Sequence, residues 1–190
     1  MEKNKAGCCS HPQYKPLIVD VGGGKGHSLR AILAETPEIP PARCVLQDQA
    51  NVIQGVETSA NDSQEGKFQK MVIDFHKDQS VKGALIYYLR HIIHDYQDSV
   101  CINILKHIAD ALPENEPRAR VLICEQIMLD KATPSPVTTA MDRAMLNIGA
   151  KERTEAAFEK IVTAAGLRLV KCHRQPGHDT GIVECSKQLG

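Results

Sequence analysis

Two stretches of this 190-residue sequence carry residue types whose spacing could do chemistry. The first is Asp20-Val-Gly22-Gly-Gly24-Lys-Gly26, a run in which side-chain-free backbone could approach a ligand closely. A dinucleotide-binding G-x-G-x-x-G fails because position 27 is histidine, and a phosphate loop G-x-x-x-x-G-K-S/T fails because Lys25 is followed by glycine. The pattern that fits is D-x-G-x-G-x-G, and it implies a nucleoside-type cofactor. Asp48 stands about twenty residues on, where open α/β folds that bind nucleosides place an acid to accept hydrogen bonds from ribose hydroxyls. The second stretch is Tyr88-Leu-Arg90-His-Ile-Ile-His94-Asp95-Tyr96-Gln-Asp98, in which a histidine of ordinary pKa about 6.5 could take a proton near neutral pH. Standing alone, His91 and His94 would read as ordinary histidines at the start of a helix.

The elements that must position these residues alternate between apolar runs of strand length and helical patterns, the signature of parallel strands joined by crossover helices. Leu17 to Val21 reads as a buried first strand, followed by a helix over His27 to Glu35 that Pro37 stops. Cys44 to Gln47 is the second strand, Asn61 to Gly66 a polar loop, Phe68 to Phe75 the third strand and Ala84 to Leu89 the fourth, apolar on both faces. Asp98 is expected to cap a helix in which Val100, Cys101, Ile104, Leu105, Ile108 and Leu112 recur at helical spacing, closed by Pro113. Val121 to Ile127 is the fifth strand, with Glu125 near its C-terminal end. A Pro-punctuated loop over Thr133 to Pro136 leads into a helical pattern of Val137, Met141, Ala144, Met145 and Ile148. Thr154 can cap a last helix that buries Phe158, Ile161, Val162 and Ala165 and ends at Gly166. Arg168 to His173 and Gly181 to Cys185 form a closing pair, and their short connection permits a hairpin.

Bulk properties narrow the function. Lys plus Arg and Asp plus Glu are 23 each, so the formal charge is zero and no basic face for nucleic acid is expected. No segment approaches a membrane span or a secretory leader, so no membrane partner is expected either. Seven cysteines occur without any C-x-x-C pair, several inside apolar runs, which fits a reducing, cytoplasmic setting. Cys8, Cys9 and His11 make a poor tetrahedral set, and no metal is expected. Residues 1–16 read as a flexible tail and 17–190 as one domain.

The glycine pattern resembles motif I of class I S-adenosylmethionine-dependent methyltransferases. From Leu17 onward the chain looks like the catalytic domain of plant and fungal O-methyltransferases of the caffeic-acid and flavonoid type. Tyr88 to Asp98 resembles that family's basic residue, three-residue spacer and His-Asp-Trp; Gln47 to Ile53 resembles its acidic segment; Gly149-Ala-Lys151-Glu152-Arg153-Thr154 resembles its Gly-Gly-Lys-Glu-Arg-Thr. The resemblance implies a Rossmann-like α/β fold: a seven-stranded, mostly parallel sheet with helices on both faces and its last strand inserted antiparallel. It implies S-adenosylmethionine as cofactor, held by Asp20, Gly22, Gly24, Gly26, Asp48, Gln49, Asp74, Phe75 and Arg90. His94 becomes the general base, with Glu125 and Glu152 orienting its imidazole, and Met141 and Met145 line a phenolic or polyketide-type substrate. Without the family pattern Glu152 would read as a helix-cap carboxylate, Asp74 as an unremarkable aspartate and the methionines as plain core.

The resemblance has departures. Tyr96 and Ala150 stand where tryptophan and glycine are usual. The family's N-terminal helical domain has no counterpart in the short polar stretch before motif I. Three alternatives follow: the acceptor site is open, a second copy of the chain or a partner chain covers the surface this leaves, or the chemistry has changed. Because fold does not fix function, two other readings stand beside methyl transfer: the same cluster repurposed for cyclisation or pericyclic chemistry in a natural-product pathway, or a non-catalytic regulatory partner.

Overall fold

The computed structural model describes residues 15–57, 68–128, 152–175, 178 and 180–188. The expected helix around Met141 and Met145, the loop before it, residues 149–151, the polar loop at 61–66 and Cys8, Cys9 and His11 lie outside the described residues.

Strand β1 (Ile18–Val21) is buried along its whole length and is flanked by β2 (Cys44–Asp48) and β4 (Ile86–Arg90), both parallel to it. Its chain neighbours therefore lie on opposite sides: β2 and then β3 (Gln69–Val72) extend one way, and β4 and then β5 (Arg120–Met128) the other. The reversal of strand order between β1 and β4 opens a crevice at the C-terminal ends of the strands, where open α/β sheets bind ligands. Beyond β5, the antiparallel hairpin of β7 (Leu167–Arg174) and β8 (Thr180–Lys187) folds back so that β8, the last strand, sits between β5 and β7 and runs against both. This is the mostly parallel sheet with one inserted antiparallel strand that the resemblance implied. An eighth, two-residue strand, β6 (Arg153–Thr154), was not foreseen; it pairs parallel with the protruding end of β5.

The alternating burial of the strands divides the core in two. On one face Ile18, Cys44 and Leu46 pack with Leu29 of α1 (His27–Glu35) and with Ile53 and Val56 of α2 (Ala50–Glu57). On the other, Val19, Val21, Val121 and Ile123 pack with Ile104, Leu105 and Ile108 of α3 (Asp98–Ala111) and with Phe158, Ile161 and Val162 of α4 (Glu155–Ala164). Helix α2 is a further element that the sequence reading passed over.

Two local expectations need correction. Asp98 does not cap α3: the cap position is held by Gln97, without a side-chain bond, and the Asp98 carboxylate instead accepts from the Arg153 guanidinium. The third strand stops at Val72: the Ile73 N–H makes the last rung of the ladder, to the Asp48 carbonyl (2.9 Å), and Asp74 then opens a turn closed by the Lys77 N–H (3.0 Å). Thr154 does cap α4, its Oγ1 accepting from the Ala157 N–H at 3.3 Å.

Candidate active site at the strand-order reversal

The loop after β1 is pinned from beneath. The N–H groups of Gly22 and Gly23 donate to the Gln47 carbonyl (2.8 and 3.1 Å), which draws the turn over the end of β2. A Cβ at Gly22, where φ is +69°, would lie 2.5 Å from Ile92 Cδ1, and one at Gly23 would collide with the Asp20 carboxylate. At Gly24 the space is open, so the bare backbone there faces the crevice. The Gly24 N–H donates to Asp48 Oδ2 and the Gln49 N–H to Asp48 Oδ1, both at 2.7 Å. Asp48 thus tethers the loop while keeping lone pairs for a ligand.

Asp20 is 1 % exposed beneath this loop, and neither carboxylate oxygen has a hydrogen-bond partner among the described residues. Burial, and then the Asp48 charge, push its pKa up to about 7, while Arg90 opposes them. Arg90 lies at the end of β4, its Nη1 donating to Ser28 Oγ of α1 (3.1 Å).

Beyond β3, Asp74 projects outward at the crevice. It accepts from the His76 N–H (3.2 Å) and pairs with Lys77 Nζ (2.9 Å), and the hydrogen bond from Lys77 is the main reason its carboxyl lies below the usual range. A cleft of about 470 Å³ opens beside it, lined by Gln49, Val72, Asp74, Phe75 and His76. The half-exposed Val72 and the rings of Phe75, His76 and Tyr96, with centroids 4.8 to 6.2 Å apart, give this region flat apolar surfaces. Two other cavities, of about 290 and 610 Å³, open at the opposite edge of the sheet, away from every candidate site residue.

The histidine cluster forms because β5 outruns β4. Arg90 ends β4 opposite Cys124, so Glu125 is the first β5 residue beyond its neighbour. Its side chain continues the buried row of Val121, Ile123 and Ile127 and is 0 % exposed. There Glu125 Oε1 accepts the N–H groups of Ile92 (3.0 Å), Ile93 (2.8 Å) and His94 (3.4 Å), shaping the single 3-10 turn Ile93–Asp95. His94 Nδ1 lies 3.5 Å from Glu125 Oε2 and 3.4 Å from Glu152 Oε1, and its Nε2 lies on the Asp95 side, 3.4 Å from Oδ1. The bond to Glu152 raises the His94 pKa; burial opposes it, and the charges of Glu125 and Asp95 add to the rise. The structure thus brings His94, Glu125 and Glu152 together and ranges Asp20, the glycines, Asp48, Gln49, Asp74, Phe75 and Arg90 along the same edge. Met141 and Met145 lie outside the described residues.

Two residues at this site are named in the sequence analysis without a role. Arg153, its side chain 1 % exposed, donates to the carbonyls of Ile93 (2.8 Å) and Tyr96 (2.7 Å) and to Asp98 Oδ1 (2.8 Å), clamping the far side of the His94 turn. Nothing in a run of charged residues marks one of them as buried. His91 has a left-handed backbone, φ +54°, which a motif cannot reveal, and its ring stacks on that of His94 with centroids 5.4 Å apart.

This sheet order, with a glycine loop after the first strand and acids ending the second and flanking the third, defines a class I methyltransferase fold. The chain belongs to the O-methyltransferase domain family, which matches residues 13–168. Methyltransferase cfoD of Aspergillus candidus is 50 % identical over 173 residues, covering 90 % of this chain and 42 % of that protein. Among solved structures, OxaC in complex with S-adenosylhomocysteine and oxaline superimposes with a TM-score of 0.80 at 33 % identity, covering 89 % of this chain and 42 % of that one. A structure described as a pericyclic reaction enzyme superimposes with a TM-score of 0.83 at 29 % identity, covering 96 % and 45 %. The chain therefore spans less than half the length of the relatives it matches. Among the described residues no helix is long and apolar enough to cross a membrane.

Proposed function

We propose that the chain carries the cofactor-binding and proton-abstracting part of an S-adenosylmethionine-dependent O-methyltransferase acting on a phenolic or polyketide-type secondary metabolite. The observation that carries this reading is the His94 imidazole, backed by two buried carboxylates at the edge that also holds the glycine loop. The residues fit the cofactor. Asp20 offers buried carboxylate oxygens beneath the loop, Gly24 leaves room above it, Asp48 retains acceptor capacity, and Asp74 beside Phe75 suits an exocyclic amine and a flat ring. When bound, S-adenosylmethionine supplies an electrophilic methyl group on a sulfonium.

His94 does the complementary work. With Nδ1 turned to Glu125 and Glu152, its Nε2 is the nitrogen left to accept a proton from an acceptor hydroxyl. The carboxylates stabilise the imidazolium that results. A likeness to the pericyclic reaction enzyme supports a second reading, in which His94 polarises or deprotonates a substrate without methyl transfer.

Calorimetric titration with S-adenosylmethionine tests the first step, with Asp48→Ala expected to weaken binding at least about tenfold. Incubation with phenolic acceptors then separates the readings by product mass: a gain of one methyl, abolished in His94→Ala, supports the transferase, whereas an isomerised product of unchanged mass supports the second. No cofactor binding by the wild type would overturn the transferase reading.

A further inference from the structure

We propose that His91, His94 and Glu125 form a binding site for a divalent transition-metal ion of the zinc type, and that filling it switches off the base. The second clause rests on the reading of His94 given above; the first stands on geometry alone.

One potential donor atom from each of the three residues lies within 4.8 Å of the other two. The Nδ1 atoms of His91 and His94 lie 3.6 and 3.5 Å from the same oxygen, Glu125 Oε2. These separations are long for hydrogen bonds. They match the edge of a tetrahedron around an ion with ligand distances of about 2.0–2.2 Å, for which donors stand about 3.3–3.6 Å apart.

The carboxylate is prepared for such a ligand. Glu125 is 0 % exposed; three backbone N–H groups occupy Oε1, and Oε2 has no hydrogen-bond partner among the described residues. Oε2 is faced by the two imidazoles at ion-pair rather than hydrogen-bond distance. His91 is brought to it by a left-handed backbone that non-glycine residues seldom adopt, held by its N–H to the Cys124 carbonyl (3.2 Å). A divalent ion would take a lone pair from each of the two stacked rings and from Oε2 at once. Imidazole and carboxylate donors suit zinc and its neighbours, and the Glu152 carboxylate, its Oε1 3.4 Å from His94 Nδ1, adds negative charge nearby.

The consequence for the base follows from ring chemistry. The ion takes the Nδ1 lone pair and any proton there passes to solvent; the neutral ring then carries its one proton on Nε2, which can accept none.

The test is Zn2+ calorimetry on the full chain, with Co2+ absorption reporting the donor type. His91→Gly and His91→Asn keep residues that tolerate the left-handed backbone, and circular dichroism checks their folding. The expected result is one ion per chain, bound at least tenfold more weakly in His91→Gly, with a tetrahedral Co2+ spectrum free of thiolate charge transfer. No Zn2+ binding, equal binding in His91→Gly, or a thiolate charge-transfer band would each overturn the site. S-adenosylmethionine titrated into the same samples separates the site from the transferase reading, since failure to bind the wild type sinks that reading and leaves the Zn2+ result standing; methyl transfer that is lost on Zn2+ saturation in the wild type supports the switch, and transfer that persists overturns it.

Discussion

Glu125 Oε1 sits 2.8 Å from the N–H of Ile93 while Oε2 of the same carboxylate faces His94 Nδ1 at 3.5 Å. One side chain thus builds the turn that carries the imidazole and supplies part of the field that the imidazole feels.

The two duties separate on substitution. Glu125→Gln keeps an oxygen for the three N–H groups and loses the charge, so the fold should survive while the His94 pKa falls toward its ordinary value. Glu125→Leu strands the three donors and should cost about 3 kcal/mol or more, since each buried unsatisfied group costs about 1–3 kcal/mol. Urea unfolding of both variants checks the contrast, which fails if Gln and Leu are equally destabilising.

For His94 the sign is set by its neighbours. Its folded pKa is raised, chiefly by Glu152, so the stability gained from the paired imidazolium is present below about 6.5 and lost as pH rises through the higher folded value. The base form accordingly appears only above that value, placing the acid limb of kcat/KM above about pH 6.5. NMR titration of the ring protons should give a midpoint above the ordinary one and drop it in Glu152→Gln; a midpoint below about 6.5 would mean that burial dominates.

Asp20 shifts stability in the same direction with pH, but through a charge that burial disfavours. Its folded pKa of about 7 exceeds the ordinary aspartate value of 3.8, so the folded state loses stability as pH rises between the two. Asp20→Asn should therefore melt higher than the wild type near pH 8 and lose that advantage by about pH 4. Differential scanning fluorimetry across this range reads the crossing, and an advantage independent of pH would argue against a raised pKa.

Arg153 should behave as a positioning residue. Arg153→Met strands the carbonyls of Ile93 and Tyr96 and the Asp98 carboxylate, and the expected loss is about 3 kcal/mol or more, from hydrogen bonds to a charged group worth about 1.5–3 kcal/mol each. Arg153→Lys, keeping the charge but not the planar fork, should recover part of the stability and leave the His94 titration displaced. Wild-type titration in both variants would reduce Arg153 to a structural role.

Much of this was legible from the sequence because burial and spacing leave marks there. The strands of a doubly covered sheet must be apolar, and Val121-x-Ile123-x-Glu125-x-Ile127 betrays a carboxylate in a row that should hold none. The glycine run is legible because only glycine fits where Ile92 and the Asp20 carboxylate crowd the backbone. Asp98 misled because a cap and the partner of a buried arginine look alike at the start of a helix. Helix α2 was passed over because its eight residues, Gly55 among them, give only two turns of periodicity. His91 and Arg153 owe their places to a backbone angle and to long-range packing, which no local pattern encodes.

The pairing of Ile127 and Met128 with Arg153 and Thr154 anchors both ends of the intervening stretch in the sheet. Glu152 is thereby delivered beside His94 by the frame itself. The distance from carboxylate to imidazole is therefore a matter of strand register: a slip of the Ile127–Arg153 pairing by one residue would carry Glu152 away from His94.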